Sequence, residues 1–180
     1  MFVYGLCLIL IILAADQISK WYILEEVFRP ALLEMGADIS DRSIPLLEWL
    51  QAPGRLFPPV SLEIFPFLNF SMLWNTGISF GFLADGALGG PMGPMALAGV
   101  ITVFFTIWML RSRSGVEVFA LALVIGGAIG NMIDRLRFGA VADFLDVHVA
   151  GWHFPTFNIA DACISIGVAI LIIHGLFSKS

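Results

Sequence analysis

Four long apolar stretches dominate the chain, and the polar positions between them are bunched rather than spread. Phe2 to about Leu24, about Met92 to Leu110, about Val116 to Ile133, and Phe157 to Phe177 each supply the roughly 20 mainly apolar residues a helix needs to cross a hydrocarbon layer. Asp16, Gln17, Ser19 and Lys20 fall in the outer third of the first, and the second stops at Arg111-Ser-Arg113. The pattern predicts an all-α membrane protein, one domain over 1–180, with four spans joined outside the membrane by segments 25–91 and 134–156. The first stretch has no Lys or Arg before Lys20, and Leu13-Ala14-Ala15 is a poor match to the exit of a cleaved leader, so it reads as a retained helix.

The 25–91 segment is not uniform. Residues 36–60 are rich in Gly, Pro, Asp and Ser and predict irregular loop with a short helix around Ile44–Leu50. Between Leu62 and Phe82, the residues Phe65, Phe67, Leu68, Phe70, Met72, Trp74, Ile78 and Phe80 recur among small polar ones. That is the mark of short strands, here resting on the membrane surface. Gly86 to Pro94 breaks the chain ahead of the second span. Trp21, Trp74 and Trp152 are expected as aromatic residues of the membrane–water interface.

Composition sharpens the class. The chain is 59% hydrophobic and 13% charged, against about 25% charged residues in an ordinary soluble domain. The net charge of −5 and nine scattered basic residues leave no basic patch for phosphate contacts, so nucleic acid is not an expected partner. Basic residues in short loops mark the cytoplasmic side. The tight turn with Arg111 and Arg113, and Lys179 in the tail, therefore predict cytoplasmic N- and C-termini, while Arg135 and Arg137 count the other way. Cys7 and Cys163 lie in apolar runs near opposite membrane faces and are expected unpaired, as small buried apolar side chains.

The informative residues are polar ones inside or beside the spans, since an acid at the centre of a span costs roughly 2.5–3.5 kcal/mol. They gather at one level: Asp16 and Lys20 on span one, Asn131, Asp134 and Arg135 at the end of span three, Asp143 in the connection, and Asn158 and Asp161 at the start of span four. The inner ends carry only Glu117 and His174. Asp16 and Lys20, four apart, can pair on one helix face. Asn158, Asp161 and Ser165 form a second stripe. Gly126 and Gly130 make a small surface that would let spans three and four approach closely.

Two carboxylates meeting at that level suit acid–base hydrolysis, because adjacent like charges share one proton: the ionised member activates water and the neutral one protonates the carbonyl. Blander readings stand beside this one. The acids could be solvated helix ends, Asp16–Lys20 and Asp134–Arg135 structural pairs, and Asp146 a residue in water. Zinc chemistry is disfavoured because His148 and His153, in a loop, lack a third ligand at suitable spacing, so no metal or cofactor is expected. A proton-coupled transporter would place its acids near the midplane of repeated halves, and no repeat is visible. A non-catalytic scaffold is the remaining alternative.

At this point the residues resemble a family. Asp16-Gln-Ile-Ser-Lys20, Asn75-Thr-Gly77-Ile-Ser-Phe80, Gly126-Gly-Ala-Ile-Gly-Asn-Met-Ile-Asp-Arg135, Gly139-Ala-Val-Ala-Asp-Phe144 and Phe157-Asn-Ile-Ala-Asp161 are similar, in order, to the five signature blocks of lipoprotein signal peptidase (signal peptidase II). The resemblance implies a bacterial inner-membrane aspartic peptidase that acts, near the periplasmic face and among membrane lipids, on diacylglyceryl-modified prolipoproteins, cutting before the lipid-bearing cysteine. It implies Asp143 and Asp161 as the catalytic pair, with Asn75, Gly77, Asn131, Arg135 and Asn158 binding or orienting substrate, and Asp16, Lys20 and Asp134 in support. It also implies a small extracytoplasmic sheet, the cradle, and a short extracytoplasmic helix. Two departures from the family pattern are a longer segment around Met35–Val60, and Ile78-Ser79 where small alanines are usual.

Overall fold

The computed structural model describes residues 1–52, 54, 56–77 and 92–177. Ile78-Ser79, Phe80, the breaker residues 86–91 and Lys179 lie outside them. Helix α1, Phe2–Trp21, continues through π-helical turns at Tyr22–Phe28 into α2, Arg29–Glu34. This first helical stretch of 33 residues is about 50 Å long at 1.5 Å per residue and outruns a hydrocarbon core of roughly 30 Å. It is longer than the 2–24 expected, because the polar residues that looked like its end are satisfied within it. Arg29 Nη2 lies 2.7 Å from Glu25 Oε2 one turn away, and both are buried.

Among the described residues, three further helices are long and apolar enough to cross a membrane: α4, Met92–Arg111, α5, Gly115–Phe138, and α6, Ile159–Phe177. The short helix between α2 and the sheet is α3, Leu46–Gln51. Ser114 caps α5 by accepting the Glu117 N–H, and Gly139 ends it at φ 72°, its N–H on the Arg135 carbonyl. Only a residue free of a Cβ adopts that left-handed turn cheaply. Helix α5 thus runs past the expected Ile133 and carries Asp134, Arg135 and Arg137.

Helix α5 is the central span. Its Val118, Ala120, Leu121, Ala122, Val124 and Ile125 are buried, whereas Val100, Val103 and Phe104 of α4 point outward, as apolar groups do where lipid is the solvent. The glycine stripe works differently from expectation. A Cβ on Gly126 would meet Ile12 at 2.9 Å and one on Gly130 would meet Asp16 Oδ2 at 2.6 Å, so that stripe seats α1. The close approach to α6 comes instead from Gly127, where a Cβ would collide with the Ala160 carbonyl, and from Gly167 of α6, where one would lie 2.6 Å from that of Ala120. At the far end His174 Nε2 lies 3.8 Å from Glu117 Oε1, joining the two polar residues expected there. Cys7 and Cys163 are free thiols, Cys7 exposed on the helix surface rather than buried.

Four antiparallel strands, in order β1-β2-β3-β4, form one sheet: β1, Ser61–Phe65, β2, Leu68–Asn75, β3, Val141–Val149, and β4, Trp152–His153. The first two fall where the aromatic pattern placed strands. The other two replace the expected loop. Asp143 is therefore a strand residue, and His148 and His153 face each other across β3 and β4. Asp146 is buried rather than solvated and accepts from His153 (2.7 Å), Ser71 (3.1 Å) and Asn69 (3.4 Å). Burial by itself would raise its pKa, but these donors and the His153 charge hold it below the ordinary carboxylate value.

A second core, with Phe28, Ile44, Trp49, Phe57, Met72, Phe138 and Phe144, ties the sheet to the loop around 36–60. Two tryptophans expected as interfacial residues act here as fasteners. The Trp21 indole donates to the Ile44 carbonyl at 2.7 Å and that of Trp74 to Phe57 at 3.0 Å. Trp152, 67% exposed, has the exposure expected of an interfacial residue. Arg137 donates to the Trp49 carbonyl and lies 3.9 Å over its ring, so the long Met35–Val60 segment is pinned to the end of α5.

Candidate active site

Asp143 reaches its position through strand register. Asn75 of β2 pairs with Val141 and Leu73 with Asp143, which makes Asn75 and Asp143 diagonal neighbours on adjacent strands. The Asn75 amide donates to Asp143 Oδ2 at 3.1 Å, and its oxygen accepts the Gly77 N–H at 3.0 Å. Gly77 sits at φ 72°, and a Cβ there would lie 3.8 Å from Arg135 Nη2.

Asp161 is placed by the start of α6. Asn158 Oδ1 accepts the Asp161 N–H (2.9 Å), and Asp161 Oδ2 accepts the Asn158 N–H (3.3 Å). This reciprocal pair satisfies two amides that a helix start leaves orphaned. The preceding residue, Phe157, pairs with Leu145 of β3 through N–H···O bonds of 3.1 and 2.8 Å, which holds the start of α6 against Asp143.

Asn158, fully buried, joins the two acids. Its Nδ2 donates to Asp143 Oδ1 at 2.8 Å and lies 3.1 Å from Asn131 Oδ1 and 3.3 Å from the Ala142 carbonyl. Two hydrogens serve three acceptors, and the shortest contact goes to the carboxyl. Asn131 Nδ2 donates to Asp161 Oδ1 at 2.7 Å, while its oxygen also lies 3.4 Å from Lys20 Nζ. Asp143 is 1% exposed. Burial, and then the nearby charge of Asp161, push its pKa up to about 7, against the pull of Asn75, Lys20 and Asn158.

Asp16, Lys20 and Asp134 form a buried layer beneath. Lys20 Nζ is 2.8 Å from Asp16 Oδ2 and 2.8 Å from Asp134 Oδ2, so Asp134 pairs with Lys20 rather than with its neighbour Arg135. Arg135 Nη1 instead reaches the Asn131 carbonyl at 3.4 Å. Gln17, noted from the sequence among the polar residues of the first span but given no role, donates to both Asp16 and Asp134 at 3.1 Å. Every polar residue singled out from the sequence for this level thus belongs to one connected cluster, except Ser165, which is exposed.

Fold and site define a multi-span membrane protein with a paired-carboxylate centre at one end of its helix bundle. The family described as signal peptidase (SPase) II matches residues 8–177, and the chain belongs to that family. It is 36% identical over 177 residues to the lipoprotein signal peptidase of Polynucleobacter necessarius subsp. necessarius (strain STIR1), covering 97% of this chain and 90% of that one. The lipoprotein signal peptidase of Coxiella burnetii (strain RSA 331 / Henzerling II) is 45% identical over 121 residues, 66% of this chain and 74% of that one. Among solved structures, a bacterial membrane enzyme determined by the in meso method superposes with a TM-score of 0.68 at 26% identity, covering 100% of this chain and 92% of its own.

Proposed function

We propose that Asp143 and Asp161 are the catalytic pair with which this signal peptidase II removes signal peptides from prolipoproteins. The observation that carries the reading is Asn158, one side chain bonded at once to the Asp143 carboxyl and to the Asp161 backbone. Asp143, whose pKa burial and the Asp161 charge raise, is assigned the role of proton donor, and Asp161, which accepts from the Asn131 side chain and the Asn158 N–H, that of its partner base.

Water then attacks the scissile carbonyl carbon. Asp161 takes the water proton as Asp143 gives its own to the carbonyl oxygen, producing a neutral tetrahedral diol. Collapse of the diol breaks the C–N bond. The leaving nitrogen receives the proton held on Asp161, and a hydroxyl proton returns to Asp143. Asn75, its oxygen held by the Gly77 N–H, and Asn131 and Asn158 keep both carboxyls oriented, while Arg135 beside Gly77 is placed to meet substrate.

The substrate class is a prolipoprotein whose cysteine already carries a diacylglyceryl group, cut just before that cysteine. A lipid-anchored cysteine stays at headgroup depth, which suits a centre at the end of the bundle. We place the chain as one peptidase domain in the bacterial inner membrane. Both termini and the Arg111–Arg113 turn are cytoplasmic, and the dyad, sheet and short helix are on the periplasmic side among membrane lipids.

The test is cleavage of a diacylglyceryl-modified prolipoprotein in detergent micelles, read as a gel shift, for wild type, Asp143→Asn and Asp161→Asn. Both folded variants are expected to lose on the order of 10²–10⁴-fold in rate, since an amide cannot carry the proton. Near-normal cutting by either variant means the wrong acids have been named. Failure of the wild type on modified substrate removes the substrate class.

A further inference from the structure

The buried layer under the dyad has a symmetry of function that its ion pairs alone do not require. Asp16 Oδ1 accepts the N–H of Ala160, the residue before Asp161, at 3.1 Å. Asp134 Oδ2 accepts the N–H of Ala142, the residue before Asp143, also at 3.1 Å. These two carboxylates come from α1 and α5, and the amides they hold come from α6 and β3. Lys20 Nζ joins the carboxylates at 2.8 Å each, and all three side chains have no exposed surface. Gly130 makes room for Asp16 in this arrangement.

We propose that Lys20 is a positioning residue for the reaction, the joint of a clamp whose arms, Asp16 and Asp134, fix the backbone immediately ahead of Asp161 and Asp143. Charge alone would not call for this placement, because a lysine satisfied by any two acids in the bundle would neutralise equally well. Here each acid, besides meeting Lys20 and Gln17, accepts the N–H of the residue immediately before Asp161 or Asp143. Removing the ammonium leaves two buried acids that repel each other or share a proton. Either way the spacing of the arms changes, apart under repulsion or together over a shared proton, and with it the two chain segments that set the distance between the carboxyls. A misplacement of about 1 Å costs on the order of 10²-fold in a reaction that depends on alignment.

This inference rests on the dyad reading above, and the experiment separates the two. Full-length wild type, Lys20→Met, Asp16→Ala and Asp134→Ala are compared in micelles for cleavage kinetics on a diacylglyceryl-modified prolipoprotein. Amide hydrogen exchange resolved at Ala142, Ala160 and control residues of α4 is measured alongside. For Lys20→Met, kcat falls about tenfold or more with KM within about twofold. Exchange rises at both Ala142 and Ala160 while the α4 controls hold. Asp134→Ala releases Ala142 alone and Asp16→Ala releases Ala160 alone.

A uniform rise in exchange across the helices assigns Lys20 to general stability and overturns the proposal. So does a folded Lys20→Met with wild-type kcat. Should Lys20→Met not fold, the two alanine variants decide: selective release with a fall in kcat supports the clamp, and unchanged kcat overturns it. If Asp143→Asn or Asp161→Asn still cuts, the failure belongs to the dyad assignment rather than to the clamp.

Discussion

In the proposed mechanism Asp143 has to be dry enough to keep a proton near neutrality, and its side chain is buried with the Asp161 charge nearby. Its pKa of about 7 comes first from burial and then from the neighbouring charge. Activity is therefore expected to decline as pH rises through about 7, where the shared proton is lost, and to decline again in acid, where both carboxyls are protonated. A pH–rate profile of kcat/KM checks this, and a rate that climbs steadily into alkali would sink it. The stability sign follows from the same shift. With the folded pKa above the ordinary 3.8, the folded state binds the proton more tightly. The group's stabilising contribution is complete below that ordinary value and is lost as pH rises through about 7. Asn158 and Asp161 could be paired from the sequence, three apart at a helix start. The Asn75–Asp143 bond could not, because it spans 68 positions and depends on the register of two strands.

At the scale of elements, helix α5 decides where everything else sits, and its glycines decide how closely. Gly127 lets the Ala160 carbonyl approach to a distance no Cβ tolerates, so Gly127→Ala must push the start of α6 away from α5. A loss of about 1–3 kcal/mol is expected from such overpacking, together with reduced cleavage because Asp161 moves with α6. Thermal unfolding in micelles beside a cleavage assay checks it, and an unchanged melting temperature would remove the close-packing argument. The four spans were legible because apolar runs of that length match the thickness of a hydrocarbon layer and exceed what a water-soluble helix normally carries. Strand β3 was not, although Val141–Val149 is flanked by Gly139 and Gly151 and rich in β-branched residues. Asp143, Asp146 and His148 interrupt its apolar character, and they are accommodated there because partners on β2 and β4, and Asn158 just before α6, satisfy them. The π-helical extension of α1 was hidden for the same reason: Glu25 and Arg29 look like a helix end until they are seen to pair with each other.

For the whole molecule, the four helices of span length among the described residues put Asp143, Asp161 and the sheet at one end of the bundle and the Arg111–Arg113 turn at the other. The proposed orientation is checked by single cysteines at Ala150 and Ser114, with Cys7 and Cys163 replaced by serine, labelled with an impermeant maleimide. Ala150→Cys should react in cells with a permeabilised outer membrane, and Ser114→Cys only after the inner membrane is broken; the reverse pattern would invert the topology. Length and apolarity by themselves determined the class of molecule, the number of spans and the level at which polar chemistry gathers, because the cost of burying backbone and charge in lipid leaves few solutions. The order of the motif blocks carried the resemblance to a family. What the tertiary structure alone decided is which polar group meets which: Asp134 with Lys20 rather than Arg135, Asn158 between the two acids, Trp49 beneath Arg137. Those choices depend on helix approach and strand register over long separations in sequence, and local spacing along the chain carries no record of them.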